Sequence, residues 1–271
     1  MAGRELTSIR SPRVKAARRL AKRAFRGRER RFLAEGPQAV REALALSGVL
    51  AELFTTAEAE NRHQELVTQA EKSGAPVLRV SGEVMAELAQ TVTPQGLLAV
   101  CQFIDVPLES ALVPAPRLAT VLAHVRDPGN AGTVLRTADA AGSDSVIFTD
   151  ASVDPYNGKC VRASAGSLFH LPVVVGPRFG TVIPALKDAG LTVVAADGAG
   201  ECSLDAALDA GTLNGPTAWV FGNEAWGLPK EILTAVDEVV RVPIYGGAES
   251  LNLATAAAVC LYTSARAQRG G

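Results

Sequence analysis

Two periods of apolar and polar positions alternate along the chain. Short apolar runs bounded by Gly, Pro or polar clusters predict strands at 30–35, 49–55, 76–80 and 97–103. Between them, apolar residues spaced three and four apart predict helices over 11–25, 36–46, 57–73 and 81–89. In the first of these, Val14, Ala17, Leu20 and Ala21 share one face. Pro37 suits a first helical turn, Gly74 a helix end, and Ser81 an N-cap. Residues 105–117 hold Pro107, Pro114 and Pro116 and read as a linker. Beyond it the alternation resumes, with strands at 118–124, 145–148, 172–175, 191–196, 218–221 and 238–242. Helices are predicted at 131–141, 159–167, 181–189 and 251–267. These later strands are nearly continuous runs of apolar residues, the pattern of a parallel sheet covered on both faces. The expected organisation is therefore a small N-terminal α/β domain (1–104), a linker (105–117) and a C-terminal α/β domain built on a parallel sheet (118–271).

Composition narrows the class. Hydrophobic residues make up 48% of the 271 and aromatics only 5%, so two cores must be packed mainly from Ala, Val and Leu. No apolar run reaches the ~18–20 residues of a membrane span. The first thirty residues are basic and lack the apolar core of a secretory leader, so a cytoplasmic location is expected. Cys101, Cys160, Cys202 and Cys260 are scattered without a C-x-x-C pair, and His63, His124 and His170 are equally dispersed; neither a metal site nor a disulfide framework is expected.

Charge is unevenly spread. Residues 1–31 carry twelve Lys/Arg against Glu5 and Glu29, ten net positive charges on a chain whose total is −1. A basic arm on an acidic body is the composition of a polyanion contact. It also fits a solvated helix face.

Three loops, each at the C-terminal end of a predicted strand, concentrate chemistry-bearing residues at the edge where open α/β sheets bind ligands. The first runs Asp127-Pro128-Gly129-Asn130-Ala131-Gly132 and leads on to Arg136. The second is Gly222-Asn223-Glu224-Ala225-Trp226-Gly227. The third runs from Val242-Pro243-Ile244 to Glu249-Ser250-Leu251-Asn252. Taken singly, the glycines serve tight turns, and Asn130 and Ser250 serve as helix caps.

Taken together, the motifs resemble the signature of the SpoU/TrmH family of SPOUT RNA 2′-O-methyltransferases. Asn130-x-Gly132-x-x-x-Arg136 is similar to the first motif and Gly222-Asn223-Glu224-x-x-Gly227 to the second. Val242-Pro243 with Glu249-Ser250-Leu251-Asn252 is similar to the third. Lys159-x-x-Arg162-Ala163-Ser164-x-Gly166 and Thr93-Pro94-Gln95-Gly96 extend the likeness over nearly the whole chain. The resemblance implies a C-terminal SPOUT domain with a trefoil knot, a homodimer, and one S-adenosyl-L-methionine per chain with no metal. It places Gly222, Val242, Ile244 and Leu251 around the adenosyl group. The implied substrate is the ribose 2′-hydroxyl of RNA, with ribosomal RNA preferred over transfer RNA; the alternative class is a non-catalytic RNA-binding or ribosome-assembly protein.

In that scheme Arg136 is the principal catalytic residue. The family's usual proposal makes it a general base aided by RNA phosphate. A free guanidinium holds its proton above pH ~12, and a phosphate strengthens that hold, so orienting the hydroxyl and stabilising oxyanion charge is the physically simpler role. Asn130 and Asn252 position Arg136 or the ribose, and Ser250 contacts the same region. Glu224 is an alternative proton acceptor or an anchor for Arg136. Candidate RNA contacts are Arg18, Arg19, Lys22 and Arg23 on the arm, with Gln95 and Arg162; an ion pair is the competing role for Arg162. The helix at 251–267 is expected to help form the dimer through Leu253, Ala257, Cys260 and Leu261.

Overall fold

A computed structural model describes residues 5–223 and 226–270. The chain divides into two compact units, residues 1–104 with 156–169, and residues 105–155 with 170–271.

The first unit opens with α1 (Pro12–Arg19) and α2 (Arg23–Glu29). It continues through β1 (Arg31–Glu35), α3 (Pro37–Ala45), β2 (Leu50–Thr55), α4 (Ala57–Arg62) and α5 (Gln64–Lys72). β3 (Val77–Arg79), α6 (Gly82–Leu88) and β4 (Leu97–Gln102) follow. Its sheet has the order β1-β4-β2-β3, antiparallel except for the β2–β3 pair. Val14, Ala17 and Leu20 pack with Val84, Met85 and Leu88 of α6 against Leu33, Phe54, Leu98 and Val100 of the sheet.

The helix expected over 11–25 is broken at 20–22, and the cause is one side chain. Buried Arg26 turns its Nη1 back to donate to the carbonyls of Leu20 and Ala21, both at 2.9 Å. A cation there satisfies acceptors left open at the end of α1. The helix expected over 57–73 is likewise split, at His63.

The second unit begins inside the expected linker. α7 (Leu108–Ala111) sends Leu108, Ala111 and Leu112 into that unit's core, so these apolar residues between the prolines are packed structure and not a free tether. β5 (Leu118–Leu122), α8 (Pro128–Ala141) and β6 (Ser145–Phe148) follow. Residues 156–169, including α9 (Gly158–Ala163), then pack with the first unit. Aromatic packing explains it: the Tyr156 ring stacks on Phe103 with centroids 3.8 Å apart and lies 4.7 Å from Phe32, and its hydroxyl accepts from the Ile104 amide at 2.9 Å.

The second unit resumes with β7 (Val173–Val175), α10 (Phe179–Asp188), β8 (Thr192–Ala196) and β9 (Cys202–Ser203). α11 (Leu204–Asp209), β10 (Thr217–Phe221), α12 (Lys230–Ala235), β11 (Glu238–Arg241) and α13 (Leu253–Gln268) complete it. The seven strands run parallel in the order β7-β6-β5-β10-β8-β11-β9. Ala218 and Val220 of β10 face α10 and α12, through Val182, Ile183, Leu186 and Ile232. Trp219 turns to the other face, where its Nε1 donates to Ser264 Oγ of α13 at 2.8 Å.

The stripe Leu253, Ala257, Cys260 and Leu261, expected at a dimer contact, is instead buried within the chain, because α13 lies along α8 and β10. On α13 the exposed large hydrophobic side chains are Val259 (39%) and Tyr262 (53%). Among the described residues no helix is long and apolar enough to cross a membrane.

Candidate active site

Strand register decides where the three motif loops meet. Leu122 of β5 pairs with Phe221 of β10, Phe221 with Ala196 of β8, and Ala196 with Val240 of β11. Because all four strands are parallel, the loops leaving β5, β10 and β11 emerge from one edge. The order in which the chain adds strands reverses between β5 and β10, the switch point at which such sheets leave a crevice.

The loop after β5 is fixed by its own helix start. Asp127 Oδ1 accepts the Asn130 amide at 2.8 Å, and Pro128 occupies the first turn of α8. Arg136, two turns further on, is exposed, and among the described residues its guanidinium has no hydrogen-bond or ion-pair partner.

The loop after β10 closes as a tight turn. Asn223 and Gly227 exchange both backbone hydrogen bonds, at 3.2 and 2.9 Å. The Asn223 side chain is buried and donates to the carbonyl of His124, at 3.4 Å, tying this loop to the one after β5. Gly227 has φ +66°, and a Cβ on Gly222 would lie 2.7 Å from Leu228 Cγ and 2.8 Å from the Gly227 oxygen. The turn therefore requires a bare backbone at both positions. Glu224 lies outside the described residues.

The third loop reaches the first through one carboxamide. Asn252 caps α13, its Oδ1 accepting the amides of Ala254 (2.9 Å) and Thr255 (3.4 Å), while its Nδ2 donates to Asn130 Oδ1 at 3.1 Å. Both asparagines are thereby held at the head of α8. Ser250 is exposed and Val242 half-buried; Ile244 (38%) and Leu251 (37%) expose apolar surface on the same segment. A bare backbone turn and exposed aliphatic side chains, on loops that leave the same sheet edge, suit a ligand with a flat apolar ring and polar edges, and the residues present fit an adenosyl group.

The remaining candidates belong to the first unit. Gln95 is exposed. Arg162 sits 3.6 Å from the largely buried Glu35, the ion pair that competes with a phosphate role. Arg18 is 2.9 Å from Glu87, whereas Arg19, Lys22 and Arg23 are exposed. One feature of the second unit escaped the sequence reading. Trp226 is 59% exposed, and the Arg126 guanidinium lies 5.3 Å from its ring centroid, joining the first and second loops.

The family model described as the SpoU rRNA Methylase family matches residues 117–262, the span that holds all three loops. The chain belongs to the SpoU rRNA methylase family. A second model, the MRM3-like substrate binding domain, matches residues 11–99. The chain is 32% identical to the 23S rRNA (guanosine(2553)-2′-O)-methyltransferase RlmP of Bacillus subtilis, over 96% of this chain and 98% of that one. Its fold is similar to that of an AdoMet-bound rRNA methyltransferase from Sinorhizobium meliloti, with TM-score 0.85, 31% identity and 97% of each chain covered. It is also similar to the SpoU methyltransferase AviRb from Streptomyces viridochromogenes, solved with its cofactor AdoMet, at TM-score 0.82 and 29% identity, over 96% of this chain and 100% of that one. As a SpoU-family methyltransferase, the chain uses S-adenosylmethionine as its methyl donor.

Proposed function

We propose that the chain methylates a ribose 2′-hydroxyl of ribosomal RNA, most specifically of the large-subunit RNA. The observation that carries this reading is the joining of the first and third motifs by the Asn252–Asn130 hydrogen bond at the head of the helix that bears Arg136. The named activity of the Bacillus subtilis relative supports the choice of RNA.

S-adenosylmethionine supplies an electrophilic methyl carbon, and Gly222, Val242, Ile244 and Leu251 would hold its adenosyl part. Arg136 presents its donors to the ribose, orients the 2′-hydroxyl and stabilises the negative charge that develops on its oxygen, while the hydroxyl proton would pass to the Glu224 carboxylate or to water. Asn130 and Asn252 fix the start of α8 and so the direction from which Arg136 approaches. The basic arm of the first unit contributes phosphate contacts. We extend the proposal to a cytoplasmic location, to the trefoil knot that the family resemblance implies around loops 222–228 and 242–252, and to a homodimer. The dimer would use the exposed side of α13, with Val259 and Tyr262, in place of the buried stripe.

The test is transfer of labelled methyl from S-adenosylmethionine to 23S rRNA, followed by mapping of alkali-resistant 2′-O positions. A single modified ribose is expected. Transfer to a base nitrogen, or to transfer RNA alone, overturns the reading. A single-chain mass by light scattering in the fully active preparation overturns the dimer.

A further inference from the structure

The first unit contains a cleft of about 320 Å³ whose floor is apolar, with Ala17, Leu20 and Val100, and whose rim is cationic. Phe25 forms one wall and is half-buried. Two guanidiniums lie over its ring, Arg28 at 4.8 Å and Arg19 at 5.6 Å from the centroid. Arg13 and Arg31 complete the cationic lining, against Glu29 and Glu52. Those two acids are already paired, Glu29 with Arg28 at 2.8 Å and Glu52 with Arg13 at 3.6 Å. Arg19 and Arg31 have no carboxylate partner among the described residues.

We propose that this cleft receives one unpaired nucleotide of the RNA substrate, a proposal that rests on the RNA-methylation reading above. The base lies on the apolar floor against Phe25 and the flat guanidiniums, and the adjoining phosphate is held by Arg19 and Arg31. Three features select this ligand. An aromatic ring flanked by arginines offers planar faces, and base–aromatic stacking tolerates any base because each has a π-face. Two arginines without carboxylate partners match a phosphate. The volume sits at the lower end of the ~300–1,000 Å³ of ligand pockets, room for a single splayed-out nucleotide. A duplex keeps its bases stacked and presents only its backbone and groove edges, so it cannot fill an apolar floor. The first unit would then read a loop or bulge, and not charge alone.

Binding of the full-length protein to a labelled oligoadenylate and to a blunt RNA duplex tests this. Phe25→Leu keeps the apolar packing but removes the π-face. It should weaken oligoadenylate binding about tenfold, within the range of one lost stack, and leave duplex affinity unchanged. Phe25→Trp should restore oligoadenylate binding. Its added tryptophan fluorescence, taken as the difference from wild type, should be quenched by oligoadenylate and not by duplex. Equal oligoadenylate affinity for Phe25→Leu and wild type overturns the proposal, as does an equal loss on both RNAs. If Phe25→Leu fails to fold, absence of quenching in Phe25→Trp overturns it alone. Methyl transfer by wild type is measured in parallel. Transfer without Phe25 dependence removes the cleft and keeps the functional reading; Phe25-dependent binding without transfer does the reverse.

Discussion

Arg136 projects from the middle of α8 into solvent, on a helix whose start is held by Asp127, Asn130 and Asn252. A residue so placed contributes little to stability, and its substitution should be read almost purely in the reaction. Arg136→Ala is expected to shift the thermal midpoint by no more than about 2 °C, because surface positions change stability by only ~0.5 kcal/mol, and to keep cofactor and RNA affinity within about twofold. Single-turnover methylation at saturating RNA should fall by ~10²-fold or more, the scale of losing a positioned electrostatic group. A wild-type rate at saturation removes Arg136 from the chemistry. Motif spacing singles out this residue, Asn130 and Asn252 as candidates. The bond that links the two asparagines is not legible there: Asn130 and Asn252 are 122 residues apart, and only the parallel strand register brings their loops together.

Elements were legible in proportion to how locally they are made. β5, β6 and β10 lie close to their expected positions because runs such as Leu118–Leu122 are apolar on both faces, which a parallel strand demands. The breaks after α1 and at His63 were hidden because the helical period runs through both. The first depends on Arg26 folding back from the next helix. The six-residue helices α11 and α12 are too short to show a period. The placement of α13 turned on a partner that periodicity cannot name: its apolar stripe fits a subunit interface as well as it fits α8 and β10. The Trp219–Ser264 bond now gives that packing a direct check. Both side chains are fully buried, so Ser264→Ala leaves the indole N–H without its acceptor. The expected loss is ~1–3 kcal/mol, the desolvation penalty of an unpaired buried donor. Urea unfolding should show a lower midpoint with an unchanged slope. An unchanged midpoint would mean that the indole finds another acceptor and that this bond does not secure α13.

For the whole molecule, the division of labour between units is the property that charge alone overstated. The sequence assigns the arm ten net positive charges, but the structure spends several of them internally. Arg26 closes α1, and Arg13 and Arg18 face Glu52 and Glu87; the Arg28–Glu29 pair lies within the arm and is already counted in its net charge. Exposed Arg19, Lys22 and Arg23 have no carboxylate partner among the described residues. Only a cation that releases counterions from RNA contributes to the salt dependence of binding, with a slope of ~0.7 per contact for a single strand. An arginine already beside a carboxylate contributes less, because that carboxylate opposes the phosphate. Replacing Arg19, Lys22 and Arg23 together with alanine should therefore flatten the log–log salt dependence of single-strand binding by about 2. Arg18→Ala should change it by clearly less than one contact. Cofactor affinity, measured by calorimetry, should be the same in both variants, because the loops proposed to hold the adenosyl group belong to the second unit. If Arg18→Ala flattens the slope as much per residue as the triple variant does, the Glu87 pair gives way to RNA. If the triple variant leaves the slope untouched, the arm is a solvated surface and RNA affinity arises elsewhere on the chain.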